Sequence, residues 1–154
     1  MTVPAAGLPP AGGPATTRPE LCVAAVVKDG DRLLLVRRGR PPAAGLWSVP
    51  GGRVEHGETM AQAVSREVAE ETSVVVACED LVGWVERIDG ARHQVIFDFY
   101  ARVVGPSEPR GGDDAAEAAW VPLSSVEQLP LVDGMAEFLR RHGVLAPARE
   151  GEAR

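Results

Sequence analysis

Extended apolar runs separated by turn residues occur twice in the chain. The first pair is LCVAAVV and RLLLVRR, with Lys28–Asp31 between them. The second pair is SVVVACEDLVGWVERI and ARHQVIFDFYARVV, with Asp89 and Gly90 at the junction. Asp-Gly is a residue pair that tight hairpin turns favour, because its backbone tolerates positive φ. The pattern therefore predicts two β-hairpins.

The last strand of the second hairpin alternates from residue to residue. Alternate positions of a strand point to opposite faces of its sheet. One face carries Val95, Phe97, Phe99, Ala101 and Val103, and the other carries Gln94, Asp98, Tyr100 and Arg102. This alternation predicts a strand that covers a core with one side only.

A helix is predicted between the hairpins. Met60, Val64 and Val68 recur every four residues in MAQAVSREVAEE, which gives the segment one apolar stripe. Thr59 followed by Gln62 is the spacing of a capping box, in which each side chain bonds the backbone of the other. The helix is expected to pack this stripe inward and to line a cleft with the adjoining edge.

Three carboxylates share a face of this helix. Glu67, Glu70 and Glu71 are three and four residues apart, and Arg66 is the only Lys or Arg between residues 54 and 74. Like charges at such spacings destabilise a helix by about 0.2–0.5 kcal/mol per pair. A hard divalent cation bound by oxygen ligands would remove this repulsion. The alternative is an acidic face that is simply solvated.

The loop before the helix is rich in glycine. Gly51, Gly52 and Gly57 permit close approach of the backbone and positive φ. Glu58 ends this loop at the start of the helix, where a negative charge is favoured. Its side chain can turn towards the same cation.

These residues together resemble the signature of the Nudix hydrolases. The match consists of Gly52, Glu58 and the run Arg66-Glu67-Val68-Ala69-Glu70-Glu71. Ser73 departs from it, since the family usually has Gly there, and we expect an altered helix exit without loss of chemistry. The resemblance implies an α+β fold, an α/β/α sandwich with a mixed central sheet, in agreement with the order of predicted elements.

The resemblance also implies a chemistry. Nudix hydrolases cleave nucleoside diphosphates linked to another group, with Mg²⁺ or Mn²⁺ as cofactor. The implied metal ligands are Glu67, Glu70, Glu71, Gly52 and Glu58, and the implied catalytic residues are Glu70, Glu67 and Arg66. Arg66 is expected to hold a signature glutamate in place. The general base stays open between Glu70 and a distal acid such as Glu117.

Residues before the signature are candidates for substrate binding. Arg37, Arg38 and Arg40 follow the second predicted strand, and their guanidinium groups suit a pyrophosphate. The alternative is that they pair with the surplus acids of the chain. Trp47 is expected to pack under the glycine loop, with stacking on a base as the second possibility.

The last third of the chain begins with a long acidic loop, GPSEPRGGDDAAEAAW, which is interpreted either as a binding segment or as a mobile one. Asp113, Asp114 and Glu117 lie in it. A short strand is predicted at Trp120–Leu123, a capping box at Ser124–Glu127 and a closing helix at Asp133–His142. The segments RRGRPPAAGLWSVPGGRVEHGE and DDAAEAAWVPL resemble the small ADP-ribose pyrophosphatase branch of the family.

Composition limits the partners. The 154 residues carry a net charge of −6 and are 45% hydrophobic, as expected for one globular domain with a full core. We expect a flexible tail at 1–19, a domain at 20–145 and a second tail at 146–154. The charge disfavours nucleic acid polymers and membranes, and favours a small nucleotide. We predict a cytoplasmic protein with reduced Cys22 and Cys78, and a homodimer stays open.

Three functions follow from the sequence. The first is hydrolysis of ADP-ribose, or a similar compound, to AMP and ribose 5-phosphate. The second is release of pyrophosphate from a nucleoside triphosphate, including 8-oxo-dGTP. The third is a non-catalytic module that senses a nucleotide, which the intact acids disfavour.

Overall fold

The computed structural model describes residues 18–41, 43–112 and 114–148. Seven strands, two α-helices and one 3-10 helix follow one another along this part of the chain. In order they are β1 (Glu20–Asp29), β2 (Arg32–Arg38), β3 (Trp47–Ser48), β4 (Gly51–Arg53), α1 (Met60–Thr72), β5 (Val76–Asp89), β6 (Arg92–Val103), β7 (Ala115–Pro122), the 3-10 helix Leu123–Gln128 and α2 (Met135–Arg141).

Both predicted hairpins are confirmed. The turns lie at Gly30 and Gly90, which have φ values of 60° and 53°. The arms of the first hairpin separate soon after the turn, because β1 pairs with β4 and parallel with β6, whereas β2 pairs with β3 and β7. This separation gives a mixed sheet with the strand order β3-β2-β1-β6-β5. It also places Arg37 and Arg38, at the far end of β2, away from β1.

Apolar clusters cover both faces of the sheet. One cluster joins the side chains of α2, including Met135 and Leu139, to Val26 and Ile96 of the sheet. The other joins Val64 and Val68 of α1 to the opposite face of β1 and β6. The predicted α+β class, with a mixed sheet between helices, is confirmed.

The prediction of a one-sided strand at β6 was wrong. Gln94, Ile96 and Asp98 are buried, although this face was assigned to solvent. The physical reason is that α2 and the segment after it cover this face, so polar positions are enclosed together with Ile96. The alternation of polar and apolar residues could not show this, because the covering element is distant in sequence.

The C-terminal elements differ from their predictions in detail. Strand β7 begins at Ala115, inside the predicted acidic loop, because it pairs with β2 over most of its length. The predicted capping box at Ser124–Glu127 was wrong. A 3-10 helix follows Pro122 there without a side-chain cap. Helix α2 begins only at Met135, since Gly134 has a left-handed backbone with a φ of 82°.

The predicted tails lie largely outside the described residues. Residues 1–17 and 149–154 are not described, so the boundaries 1–19, 20–145 and 146–154 stay predictions. Both cysteines are free, and Cys22 is buried in the core. Within the described part of the chain, none of the helices has the length and apolar character needed to cross a membrane.

Candidate active site

Helix α1 sets the direction of the acidic face. The capping box is present as predicted, since Thr59 Oγ1 accepts the Gln62 N–H and the Gln62 side chain accepts the Thr59 N–H. Val64 and Val68 are buried against the sheet. Because these contacts fix the rotation of the helix, Glu67 and Glu71 are directed at the glycine loop rather than into solvent.

Two glycines let the loop approach the helix. A Cβ on Gly51 would lie 2.3 Å from the carbonyl oxygen of Val23, and a Cβ on Gly52 would lie 2.3 Å from Cδ of Glu67. Side chains of any other residue would therefore collide with β1 or displace the Glu67 carboxylate. The predicted close approach at the glycine pair is confirmed.

Arg66 is the centre of an ion-pair network. Its Nε and Nη2 donate to the two carboxylate oxygens of Glu58 at 2.6 and 2.8 Å. Nη1 donates to Glu67 at 2.8 Å and to Glu70 at 3.2 Å. Nη2 also donates to the carbonyl oxygen of Arg53 at 3.0 Å. Arg66 thus fixes signature glutamates, as predicted, and joins the helix to the loop before it.

Glu58 is held from two sides. It accepts the bidentate pair from Arg66, and its Oε1 also accepts the Glu55 N–H at 3.0 Å. The Arg66 hydrogen bonds lower the pKa of Glu58 from 4.5 to about 2, against the opposing effect of desolvation. In this arrangement Glu58 orients Arg66, and its role as a metal ligand stays a prediction.

Glu67 and Glu71 are carboxylates in a poorly solvated place. Burial raises the pKa of Glu67, and hydrogen bonds from Arg66 oppose the rise. Burial and the charge of Glu67 raise the pKa of Glu71 well above its usual range. The Gly51 N–H donates to Glu71 at 3.4 Å, which is a weak compensation. Glu70 lies at the rim, where its side chain is 43% exposed.

The donor set fits a hard divalent cation. Glu67, Glu70 and Glu71 offer carboxylate oxygens, and a cation beside them would offset the burial that disfavours their charged forms. Because Gly52 has no Cβ, the Glu67 carboxylate can lie against the backbone of the glycine loop. Across the described residues no three such side chains are gathered as a metal cage, and Arg66 binds Glu67 and Glu70 instead.

The three candidate arginines have separate environments. Arg37 pairs with Glu117 of β7 at 3.2 Å, and Arg40 pairs with Asp114 at 3.2 Å. Both pairs are at the surface. Arg37 and Arg40 therefore pair with acids of the chain, which was the alternative to binding a pyrophosphate. Arg38 is only 7% exposed. Burial lowers the pKa of its guanidinium, and the charge of Glu71 opposes the change, so Arg38 lies near the acidic helix.

Trp47 packs in the core beside the site. Its indole is buried in the cluster that lies under α2. Its backbone bonds Pro130 and Val132, which ties the glycine loop to the segment before α2. Trp47 is thus buried, while its packing under the glycine loop and its contact with a substrate stay predictions.

The acidic loop before β7 is anchored on α1. The Arg110 N–H donates to the Thr72 carbonyl at 2.8 Å, and the indole N–H of Trp120 donates to the Ser107 carbonyl at 2.8 Å. A Cβ on Gly112 would lie 2.5 Å from the Glu70 carbonyl oxygen. The loop therefore passes against the end of the acidic helix. Asp113 lies outside the described residues.

The family model of the NUDIX domain matches residues 18–142 of the chain. The chain belongs to the Nudix family. The matched range includes all the strands and both α-helices of the described residues, and only residues 143–148 of the described chain lie after it.

Relatives and solved structures agree with this assignment. An ADP-ribose pyrophosphatase of Methanocaldococcus jannaschii is 34% identical, over 72% of this chain and 66% of the relative. The 8-oxo-dGDP phosphatase NUDT18 of Homo sapiens is 31% identical, over 92% of this chain and 47% of the relative. The chain thus spans less than two thirds of either protein. A MutT Nudix hydrolase of Burkholderia pseudomallei has a similar structure, with a TM-score of 0.68, 32% identity, and coverage of 80% of this chain and 97% of that one.

Proposed function

We propose that the protein is a hydrolase that cleaves the P–O–P link of a nucleoside diphosphate derivative with Mg²⁺ or Mn²⁺. The observation that carries this proposal is the placement of Glu67 and Glu71 against Gly52 and Gly51, with Glu70 joined to Glu67 through Arg66. Arg66 and Gly52 fix their positions. An acidic face that served only for solubility would require neither the glycine contact nor the buried Glu71 carboxylate.

Each residue has a distinct part in this proposal. When bound, the cation neutralises charge on the pyrophosphate and makes water a better nucleophile. Glu67, Glu70, Glu71 and the Gly52 carbonyl would hold it. Arg66 and Glu58 keep these ligands in place through the bidentate pair. Preorganised charge of this kind supplies most of the catalysis expected in phosphoryl chemistry.

Two acids are candidates for the general base. Glu70 lies at the rim of the cluster and is partly exposed. Glu117 lies on β7, exposed and paired with Arg37. Replacement of the base lowers kcat and removes the acidic limb of the pH profile. Comparing Glu117→Gln with the exposed control Glu127→Gln therefore decides whether Glu117 acts in the reaction.

ADP-ribose is the proposed substrate, with AMP and ribose 5-phosphate as products. The relative from Methanocaldococcus jannaschii carries this activity in its name. The buried Arg38 supplies positive charge beside the acidic helix, and Arg37 and Arg40 extend it at the surface. The predicted contact of Trp47 with the base belongs to this proposal. A homodimer is not needed to complete the site, because every proposed ligand lies in one chain.

A nucleoside triphosphate such as 8-oxo-dGTP is the second candidate. It is favoured by the similarity to a putative 8-oxo-dGTP diphosphatase of Mycobacterium tuberculosis, which is 34% identical over 79% of this chain and 89% of the relative. Incubation with Mg²⁺ and a panel of nucleotides, followed by identification of products, separates the two. For ADP-ribose we expect kcat/KM at least roughly tenfold above that of every triphosphate, about 1.4 kcal/mol in transition-state binding. Pyrophosphate as the dominant product from a triphosphate would reject ADP-ribose and keep the hydrolase.

A further inference from the structure

A second group of cations lies on the hairpin formed by β5 and β6. Asp89 pairs with Arg92, and Arg87 pairs with Gln94, so these four side chains share one face of the hairpin. The same face continues onto β1, because Gln94 is paired with Glu20. No charge pattern in the chain singled out these residues. Counting outward from the Asp-Gly turn would have placed both arginines on one face.

Arg92 is joined to the glycine loop, because it shares Glu20 with Arg53, whose carbonyl oxygen accepts from Arg66. After burial, which is the largest cause, the charges of Arg87 and Arg92 lower the pKa of the Arg38 guanidinium, while Glu71 raises it. The side chains of Arg87 and Arg92 are each 26% exposed. The guanidiniums of Arg87, Arg92 and Arg53 therefore lie in one region beside the glycine loop. Their mutual repulsion is unfavourable unless an anion binds between them.

Acidic side chains of the described residues compensate these two arginines only in part. Glu20 accepts from Arg92 at 3.2 Å, and it is shared with Arg53 at 3.4 Å. Asp89 lies 3.7 Å from Arg87, beyond hydrogen-bond distance, and its side chain is 72% exposed. Although the chain has a net charge of −6, Asp89 is the only carboxylate within 4.0 Å of Arg87 among the described residues.

We propose that Arg87 and Arg92 form an anion subsite that binds a phosphoryl group of the substrate beside the glycine loop and the proposed metal ligands of α1. Guanidinium groups present paired N–H donors that match the oxygens of a phosphoryl group. The inference rests on the proposed function, because it assigns one phosphoryl group of the substrate to the acidic helix and the other to these arginines. It makes the β5–β6 hairpin a determinant of substrate specificity.

Arg87→Gln and Arg92→Gln test the subsite, with Arg102→Gln as the matched control. Arg102 lies on the same strand as Arg92, and it is exposed and paired with Glu79. Isothermal titration with inorganic pyrophosphate in excess Mg²⁺ measures binding without turnover. We expect about tenfold weaker binding in each test variant and no change in the control. With the best substrate of the nucleotide panel, KM should rise by about tenfold and kcat should fall by less.

Pyrophosphate binding and KM within about twofold of wild type in Arg87→Gln would overturn the subsite. This variant decides the question if Arg92→Gln fails to fold, because Arg87 has only the exposed Asp89 as an ion-pair partner among described residues. Melting temperatures verify the fold. Failure of the proposed function has a different signature: wild type would hydrolyse no nucleotide, while pyrophosphate binding would still depend on Arg87.

Discussion

Gly52 lies where a single added carbon would displace the Glu67 carboxylate. Its Cβ would fall 2.3 Å from Cδ of Glu67, far below any real contact distance. A misplacement of about 1 Å in a catalytic group can cost roughly 100-fold in rate. For Gly52→Ala we therefore expect kcat to fall by about 100-fold, with weaker Mn²⁺ binding by electron paramagnetic resonance. Wild-type values for both quantities would show that Glu67 is not held by this contact.

Asp98 is a buried carboxyl group without a hydrogen-bond partner for either oxygen. Desolvation raises its pKa well above 3.8 in the folded protein. The unfolded chain therefore releases this proton at a lower pH than the folded protein does. Stability is fully present below the unfolded pKa, and it is lost as the pH rises from there through the folded pKa.

Asp98→Asn removes this ionisation while nearly preserving volume. Each unit by which burial raises the pKa of Asp98 costs about 1.4 kcal/mol of stability at a pH above that pKa, so the variant should melt at least about 2 °C above wild type at pH 8. The advantage should shrink as the pH approaches 4. Thermal melts across this range measure it, with the exposed Asp80→Asn as control. A pH-independent difference, or a lower melting temperature of Asp98→Asn at pH 8, would contradict the assignment.

Sequence alone predicted the residues of the acidic helix but not those of the hairpin. Helical spacing is a local property of the sequence, so it was sufficient to predict Glu67, Glu70 and Glu71 as neighbours. The shared face of Arg87 and Arg92 follows from the Asp-Gly turn, but the link from Arg92 through Glu20 to Arg53 depends on the pairing of β1 with β6, which joins distant segments. The structure therefore adds the second group of cations to a site whose acids were already predicted.

At the scale of elements, the end of α1 carries a measurable strain. Ser73 has a φ of 65°, the left-handed conformation in which the family usually has Gly. Such a conformation costs a non-glycine residue about 1 kcal/mol. We expect Ser73→Gly to raise the melting temperature by about 2–4 °C and to leave kcat unchanged. Ser73→Ala is the control, since it keeps the steric cost, and an equal gain in both variants would contradict the account.

Elements with local signals were predicted well, and elements that depend on tertiary packing were not. The Asp-Gly turns and the Thr59 cap are decided within a few residues, so both hairpins and the start of α1 were correct. The buried polar face of β6 depends on α2, and the early start of β7 depends on pairing with β2. Neither partner is visible from the strand itself.

At the scale of the molecule, residues 1–18 are predicted to be dispensable. The segment lacks an apolar periodicity that could form a core, and the NUDIX match begins only at residue 18. Its deletion should shift the melting temperature by less than about 1 °C and leave turnover unchanged. A large fall in either would show that the segment packs on the domain or completes an oligomer.

The central claim is that the carboxylates of α1 hold a divalent cation, and that this cation promotes hydrolysis of the P–O–P link. Glu70→Gln and Glu71→Gln test it most directly, because each preserves side-chain volume and removes one ligand charge. Mg²⁺-dependent hydrolysis of ADP-ribose is measured for wild type and both variants, with melting temperature as the control for folding. The account predicts folded variants that lose at least about 99% of wild-type kcat. Unchanged turnover of both variants at saturating Mg²⁺ would contradict it.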